Sequence, residues 1–356
     1  MSSDVTTVVD AQHSVPALTG TVRWGVLGSA WINEVAIPGI LRAPNATLAA
    51  VSSRRPEQAQ LDAERWGAEK AYSSYDELLA DPTIDAVYIP VPNALHVEWT
   101  VKALQAGKHV LCEKPLALGL AEAELVAAAA AEADRYVLEA FMYRFAPRWH
   151  RAAEIVAEGL IGEPRVARLS MGFKQFYEGY NIRFDPAQGG GVIWDMGCYV
   201  VNKSRMIFGR EPVSVSATAF TRPGENVETT ANIVLDFGNG QSSVCNVSFD
   251  YINTFSLDEI VGTDGWVNMP GTGMRGEPYS QLQWYRWDDE LFIDGAVPVV
   301  ETFEFSDNFE LEVQHLSEAI LAGHAPKYGA ADALANARVL NAVFTSIAEK
   351  RLVELG

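Results

Sequence analysis

Cysteine is scarce in this chain, and the pattern of its few thiols narrows the possible functions. Among 356 residues only Cys112, Cys198 and Cys245 are cysteines, and they lie far apart without CxxC spacing or a nearby histidine cluster. We therefore expect neither a disulfide framework nor a metal site, and a reducing compartment fits. No apolar run reaches the length of a membrane span. These absences predict a cytoplasmic protein that does not bind or span a membrane.

Positive charge is also in short supply. The chain has 27 lysines and arginines against 46 aspartates and glutamates, a formal net charge of −19. This balance argues against nucleic acid or an anionic membrane surface as a partner. The first twenty residues are polar and lack the basic and apolar segments of a secretory signal. We expect residues 1–20 to be a flexible tail, or an arm that packs on a neighbouring subunit.

The first half of the chain alternates strand and helix patterns. Because this βαβ repetition implies a parallel sheet covered on both faces, it predicts a doubly wound α/β domain over residues 21–142. The predicted strands are 22–27, 47–52, 86–89, 109–112 and 136–140.

The pattern changes after about residue 145. Strand patterns then follow one another directly, Gly238-Asn239-Gly240 is a hairpin signal, and two helices close the chain. This predicts a second, α+β domain over residues 143–356, built on a large, open and mainly antiparallel sheet. An open sheet needs its outer face covered, so we expect a homodimer or homotetramer joined through it.

The turn after the first strand is a candidate pyrophosphate site. Small residues there let backbone amides approach a phosphate at a helix start, although the full GxGxxG pattern is absent and an ordinary strand–helix turn is the alternative. The second strand ends without the acidic residue that usually holds the ribose of NAD. Ser53, Arg54 and Arg55 stand there instead, which favours NADP, with NAD as the alternative. The candidate turn residues are Gly28, Ser29, Ala30, Trp31 and Ile32.

Two further strand ends face the same predicted crevice. Pro92, Asn93 and His96 follow one strand, and Glu113-Lys114-Pro115 follows the next. Lys-Pro ends a strand sharply, so Lys114 is held in one direction rather than left free in solvent. His96 has two interpretations of equal weight, a contact with ribose or substrate and a structural role.

The second domain supplies a carboxylate and a phenol. Gly189-Gly190-Gly191 lets backbone come close to a ligand, and Asp195 and Tyr199 follow with a spacing of four. That spacing places both side chains on one face of an α-helix. Such a pair could bind sugar hydroxyls and move a proton; the alternative is a buried Asp–Tyr hydrogen bond.

These motifs together resemble the Gfo/Idh/MocA oxidoreductase family over nearly the whole chain. The segments 139–144 and 195–199 look most like the branch of glucose–fructose oxidoreductase and NADP-dependent aldose (xylose) dehydrogenases. The resemblance implies a Rossmann domain and nicotinamide chemistry in the cleft between the domains. It also implies that Lys114 lies near the nicotinamide and the substrate hydroxyl, with Tyr199 in the acid/base position. The remaining candidates for binding substrate are Asp195, Arg183, Tyr143 and Arg144.

We therefore hypothesise hydride transfer between a sugar carbon and the nicotinamide. Tyr199 moves the hydroxyl proton, a cationic Lys114 stabilises negative charge on oxygen, and Asp195 fixes the geometry. Three alternatives remain: a glycosidase that retains NAD and oxidises, eliminates and reduces in turn; a ketosugar reductase; and a non-catalytic cofactor sensor.

Overall fold

The structure, a computed structural model, describes residues 6–8, 20–175, 179–251, 257–271, 279–287 and 297–355. Its strands form two sheets, one of six strands and one of ten. Among the described residues, no helix is both long and apolar enough to cross a bilayer.

The first sheet confirms the predicted doubly wound domain. All its strands pair in parallel, in the order β4-β3-β2-β5-β6-β7. Its strands are short apolar runs buried on both faces: in the first of them, Val26 packs in one buried cluster and the next residue, Leu27, in another. The strands are β2 (Val22–Leu27), β3 (Ala46–Ser52), β4 (Lys70–Tyr72), β5 (Ala86–Ile89), β6 (His109–Glu113) and β7 (Val137–Ala140). The helices are α1 (Asn33–Arg42), α2 (Pro56–Trp66), α3 (Tyr75–Ala80), α4 (His96–Gln105) and α5 (Leu120–Ala133).

The second sheet is mainly antiparallel, as predicted. Its order is β1-β15-β14-β13-β12-β8-β11-β10-β9-β16, and only β1–β15 and β8–β11 are parallel pairs within the described chain. The strands are β1 (Thr6–Val8), β8 (Pro164–Gly172), β9 (Ser214–Phe220), β10 (Thr230–Gly238), β11 (Gln241–Ser248), β12 (Leu257–Gly262), β13 (Gly265–Met269), β14 (Tyr279–Arg286), β15 (Val299–Glu304) and β16 (Val353–Glu354). Helices α6 (Pro147–Ala157), α7 (Cys198–Phe208), α8 (Asn308–Ala322) and α9 (Ala330–Glu349) accompany it.

Part of the predicted tail lies in this second sheet. Thr6–Val8 pairs in parallel with Val300–Thr302 at the sheet's edge. These three residues therefore add an edge strand to the second sheet of their own chain. Residues 1–5 and 9–19 of the predicted tail lie outside the described residues.

Helix α8 packs on the first sheet, although the predicted boundary places it in the second domain. Val313 and Leu316 belong to the same buried cluster as Trp24, and the Trp24 indole donates to the Ser317 hydroxyl at 3.0 Å. The backbone of Phe309 comes so close to α1 that a Cβ on Gly39 would lie 2.8 Å from it. The sequence pattern of α8 shows an apolar face but not the distant partner that covers it.

Candidate active site

Lys114 and Asp195 meet across the boundary between the two domains. The Lys114 Nζ donates to Asp195 Oδ1 and to its backbone oxygen, both at 2.9 Å. Arg183 Nε donates to the other carboxylate oxygen of Asp195 at 3.0 Å. One carboxylate thus binds two cations, and the cluster joins the end of a parallel strand to the second domain.

A π-helical turn presents Asp195. Ile193–Gly197 forms this turn, and α7 begins directly after it. The single α-helix expected over Asp195 and Tyr199 is therefore wrong in detail, because the turn is wound more loosely than an α-helix. Both side chains nevertheless reach Lys114, one through its carboxylate and the other through its ring.

Tyr199 lies beside the ion pair with its ring toward the lysine. The Lys114 ammonium is 5.1 Å from the centre of the Tyr199 ring. The phenol hydroxyl donates to the Met142 sulfur at 3.6 Å, and Phe141 packs edge-on at 5.1 Å. Because a thioether is a weak acceptor, the Tyr199 hydroxyl can leave Met142 and donate to a stronger acceptor.

Burial and charge set the protonation states of the cluster. Burial disfavours the Lys114 ammonium, but neighbouring acidic groups, Asp195 foremost, together outweigh it and raise the lysine pKa. Burial works against ionised Asp195 as well, yet Lys114 and Arg183 lower its pKa. Burial raises the pKa of Tyr199 far above its usual range, and the Lys114 charge offsets only part of that rise. At neutral pH the cluster therefore holds a charged lysine, a carboxylate and a neutral phenol.

The three glycines before Asp195 allow close packing of protein groups. A Cβ on Gly189 would lie 2.6 Å from the Leu118 side chain, and one on Gly191 would lie 2.3 Å from a Glu228 carboxylate oxygen. These positions therefore have no room for a side chain. Asn93 reinforces the packing by donating its side-chain amide to the Gly189 oxygen at 3.0 Å.

The turn after β2 has the features of a phosphate cradle. Gly28 has φ +120°, and a Cβ there would lie 3.0 Å from the Tyr75 hydroxyl. In the described part of the chain, no protein acceptor takes the backbone amides of residues 29–32. Free amides before a helix start bind anions, so this turn fits a dinucleotide pyrophosphate. Trp31 stands out from it with 77% of its surface exposed.

The end of β3 lies beside this turn. Ser53 is buried and its hydroxyl accepts the Arg55 amide at 3.3 Å, whereas the Arg54 and Arg55 side chains are exposed. No ion pair holds either arginine within the described residues. Burial raises the pKa of Tyr75, and the Arg54 charge opposes that rise, which places this guanidinium near the turn. Two arginines without carboxylate partners fit a 2′-phosphate.

His96 does not face this crevice. It is fully buried, and its ring nitrogens lie 2.7 Å from the Pro115 oxygen and 2.8 Å from the Val91 oxygen. Burial lowers its pKa to about 4. The structural interpretation of His96 therefore replaces the cofactor contact, because the ring ties the Lys114 loop to the loop of Pro92.

Glu113 and Arg144 likewise bind protein groups. Glu113 accepts the Tyr88 hydroxyl at 2.7 Å, and burial raises its pKa. Arg144 is 2% exposed and binds Asn202 and Asp332, so a substrate contact by Arg144 is not supported. Tyr143 donates to Asn202 at 2.6 Å, while its ring lies 6.0 Å from that of Tyr199. All three side chains therefore bind protein groups, and the Tyr143 ring in addition lies beside Tyr199.

Several neighbours of the site carry no recognisable sequence signal. Met142 accepts the Tyr199 hydroxyl, Tyr75 covers Gly28, and Asp62 accepts the Ser29 hydroxyl at 2.5 Å. A methionine, a tyrosine and a helical aspartate have no motif that marks these roles. Within the described residues, no group of three or more His, Cys, Asp or Glu side chains is placed to hold a metal ion.

A dinucleotide-type sheet joined to a large sheet domain, with a Lys–Asp–Tyr cluster between them, defines a two-domain oxidoreductase. Residues 22–141 match the Gfo/Idh/MocA oxidoreductase family model, described as an NAD-binding Rossmann fold, and residues 149–268 match the model of its C-terminal domain. The chain belongs to the Gfo/Idh/MocA oxidoreductase family, which confirms the resemblance.

Similar proteins cover almost the whole chain. The D-xylose 1-dehydrogenase (NADP(+)) 2 of Haloferax volcanii is 34% identical, over 94% of this chain and 100% of that protein. The structure of an aldose-aldose oxidoreductase from Caulobacter crescentus, complexed with glycerol, has a TM-score of 0.85 at 28% identity and covers 94% of this chain and 99% of that one. A 3-ketoreductase from Actinomadura kijaniata with NADP and TDP-benzene has a TM-score of 0.83 at 29% identity, covering 92% and 98%.

Proposed function

We propose that the protein is an NADP-dependent oxidoreductase that transfers a hydride between a sugar carbon and the nicotinamide. The observation that carries this proposal is the Lys114–Asp195–Tyr199 cluster, assembled across the domain boundary at the carboxyl end of β6. The two similar sugar oxidoreductases and the ketoreductase support a carbohydrate substrate.

The choice of NADP rests on the two ends of the predicted cofactor site. Residues 29–32 offer backbone amides to the pyrophosphate, and Arg54 and Arg55 offer guanidinium groups to the 2′-phosphate. The described end of β3 has no carboxylate that would hold a free ribose diol. NADP in two of the similar proteins agrees with this assignment.

The nicotinamide, when bound, accepts or donates the hydride, and the residues of the cleft manage charge and one proton. Lys114 stays protonated, so it stabilises the negative charge that grows on the substrate oxygen. Asp195 fixes the lysine and Arg183 fixes Asp195. The Tyr199 hydroxyl leaves its weak hydrogen bond to the Met142 sulfur and forms one with the substrate oxygen instead.

The protonation of Tyr199 bears on the direction of reaction. Burial keeps the phenol neutral, and a neutral phenol donates its proton to a carbonyl oxygen as hydride arrives at the carbon. Oxidation runs these steps backwards and needs Tyr199 as the phenolate, which the Lys114 charge favours; the phenolate then takes the hydroxyl proton as the hydride leaves the carbon. Ketosugar reduction is therefore the second candidate, favoured by this one observation.

A comparison of Tyr199→Phe with wild type tests the acid/base assignment. We expect kcat to fall about 10²–10⁴-fold, the usual contribution of a proton-transfer group, with NADP affinity unchanged. A panel of aldoses, polyols and ketosugars is assayed with NADP and NAD. Tyr136→Phe, a ring stacked on His109 far from the cluster, is the matched control. Near-normal turnover in Tyr199→Phe would remove Tyr199 from the mechanism.

The same assay separates the alternatives. A dehydrogenase or reductase changes the absorbance of reduced nicotinamide in proportion to product. A glycosidase that retains its cofactor releases sugar without net change in that absorbance, and a cofactor sensor binds NADP and turns over nothing on the panel.

We also propose that the outer face of the second sheet joins two copies of the chain. Val234 and Val244 are register partners on β10 and β11, and they are 42% and 50% exposed. Exposed apolar neighbours on an open sheet face favour a covering partner. Val244→Asp should lower the mass measured in solution, and a monomeric wild type would contradict this proposal.

A further inference from the structure

Two carboxylates, Glu139 buried and Glu228 partly buried, each bind a backbone amide close to one half of the ion pair. Glu139 Oε1 accepts the Leu116 backbone amide at 2.9 Å, and Leu116 is two residues after Lys114. Glu228 Oε1 accepts the Ile193 amide at 3.1 Å, and Ile193 is two residues before Asp195. A hydrogen bond from a backbone amide to a glutamate thus holds both the Lys114 segment and the Asp195 segment, which meet in the cleft.

Glu139 occupies a place where a carboxylate is costly. It is 3% exposed, and its second oxygen has no hydrogen-bond partner in the described part of the chain. A buried oxygen without a partner opposes folding, so packing alone does not explain the residue. The bond to Leu116 is the favourable contact that Glu139 makes.

Glu228 is fitted closely under the glycine loop. Its backbone oxygen accepts the Val192 amide at 3.0 Å, in addition to the side-chain bond to Ile193. Its carboxylate fills the space next to Gly191, where any Cβ would collide with it. Two successive amides at the start of the π-helical turn are therefore fixed by one residue.

We propose that Glu139 and Glu228 are positioning residues, which act through the backbone to set the contact between Lys114 and Asp195. This inference rests on the proposed function of that pair. A displacement of about 1 Å at a reacting group costs up to about 10²-fold in rate, so holding both segments matters to turnover. His96 packs against the same segment, with its Nδ1 2.7 Å from the oxygen of Pro115, the residue between Lys114 and Leu116.

The charge state of Glu139 gives the proposal a signature in pH. Burial raises the Glu139 pKa to about 7, and burial raises that of Glu228 as well. The ionised form accepts an amide more strongly, so kcat should fall as pH falls through about 7. The charged and titratable groups facing Glu139 are Arg144, Asp332 and Arg205, with the thiols of Cys112 and Cys198. For Glu228, backbone amides are the groups that favour ionisation.

The test compares Glu139→Gln and Glu228→Gln with a matched control. Glutamine keeps an acceptor of the same shape and removes the charge. Glu122 is the control, because it accepts the Leu118 amide at 2.8 Å from an exposed position and needs no ionisation inside the protein. At pH 8 we expect Glu139→Gln and Glu228→Gln each to lower kcat about tenfold and to keep KM for NADP within about twofold of wild type. Glu122→Gln should behave as wild type. Glu139→Gln should also lose the fall in kcat near pH 7.

The double variant decides whether both residues act on one contact. If they do, the loss in Glu139→Gln/Glu228→Gln is smaller than the product of the single losses. Wild-type kcat and pH profile in both single variants would overturn the inference. If Lys114→Met is inactive in the same assay, the proposed function still stands. An active Lys114→Met would instead overturn the proposed function.

Discussion

Two lysine–aspartate pairs in this protein are built alike, but one is partly exposed and the other is buried. Lys114 donates to Asp195 at 2.9 Å and lies 5.1 Å from the Tyr199 ring centre. Lys203 donates to both oxygens of Asp258 at 2.8 Å and lies 5.2 Å from the ring centre of Trp149. In each pair the ammonium is held between a carboxylate and an aromatic face.

Exposure separates the two pairs. The side chains of Lys114 and Asp195 are 15% and 16% exposed, whereas those of Lys203 and Asp258 are 4% and 0% exposed. Burial lowers the pKa of Lys203 despite Asp258, while Asp195 raises that of Lys114 despite burial. The first pair is open to a ligand, and the second is enclosed in its domain. An ion pair of this type therefore marks a functional site only where a ligand can reach it.

Replacing Lys114 should give the largest effect on activity. In Lys114→Met the charge that stabilises the substrate oxygen is gone, and we expect kcat to fall about 10³-fold, equivalent to about 4 kcal/mol. Steady-state kinetics with NADP measures this, and chemical unfolding checks that the variant is folded. If kcat falls less than tenfold, the open pair is no more catalytic than the closed one.

Replacing Lys203 should give the reverse result. Lys203→Met leaves the carboxylate of Asp258 buried beside an uncharged side chain, which costs about 3 kcal/mol of unfolding free energy. Activity per folded molecule should stay near that of wild type, because Lys203 does not reach the cleft. Urea unfolding and active-site titration separate the two quantities. A stable but inactive Lys203→Met would mean that Lys203, like Lys114, is needed for activity.

The buried carboxylate of Glu139 sharpens the comparison, because no lysine neutralises it. Its pKa is about 7 in the folded protein, above the ordinary 4.5, so folding favours its protonated form. That contribution is complete below about pH 4.5 and is lost as pH rises through about 7, amounting to about 3 kcal/mol. Glu139→Gln should therefore be more stable than wild type at pH 8 and similar at pH 4.5.

Urea unfolding at these two pH values measures the difference, with Glu122→Gln as the exposed control. A gain in stability together with a lower kcat would be hard to reconcile with a purely structural role. An equal stability difference at both pH values would mean that folding does not raise the Glu139 pKa.

Local pattern was enough to predict much of this molecule. The parallel sheet was predictable because its strands are short apolar runs between helices, and the second sheet because its strands follow one another without helices. Lys114, Asp195 and Tyr199 were found because a strand end and a glycine loop mark them in the sequence. The hairpin at Asn239, with φ 55° there, was marked by its glycines.

The remaining features depend on partners that local pattern does not reveal. Glu139 binds an amide 23 residues away and Glu228 one 35 residues away, and no local pattern reveals either contact, although Glu139 lies in the family-like segment 139–144. His96 looked like a crevice residue because it follows a strand end, yet its ring turns inward to two backbone oxygens. The packing of α8 on the first sheet joins residues 293 apart in the chain, as Trp24 and Ser317 show.

Replacing Arg183 should give the smallest effect on activity. The substitution tests whether Asp195 needs a second cation in addition to Lys114. Its Nε binds the Asp195 oxygen that Lys114 does not use, and its side chain is 39% exposed. In Arg183→Gln, Asp195 keeps its lysine but loses one orienting bond, so we expect about a tenfold loss in kcat/KM. Because Arg183 also lowers the Asp195 pKa, loss of its charge should move the acidic limb of the kcat/KM profile to higher pH.

Arg165→Gln, at an exposed ion pair with Glu163, is the control and should change neither kcat/KM nor its pH profile. If Arg183→Gln raises KM alone and leaves kcat and the pH profile unchanged, Arg183 binds substrate directly and the carboxylate needs only its lysine.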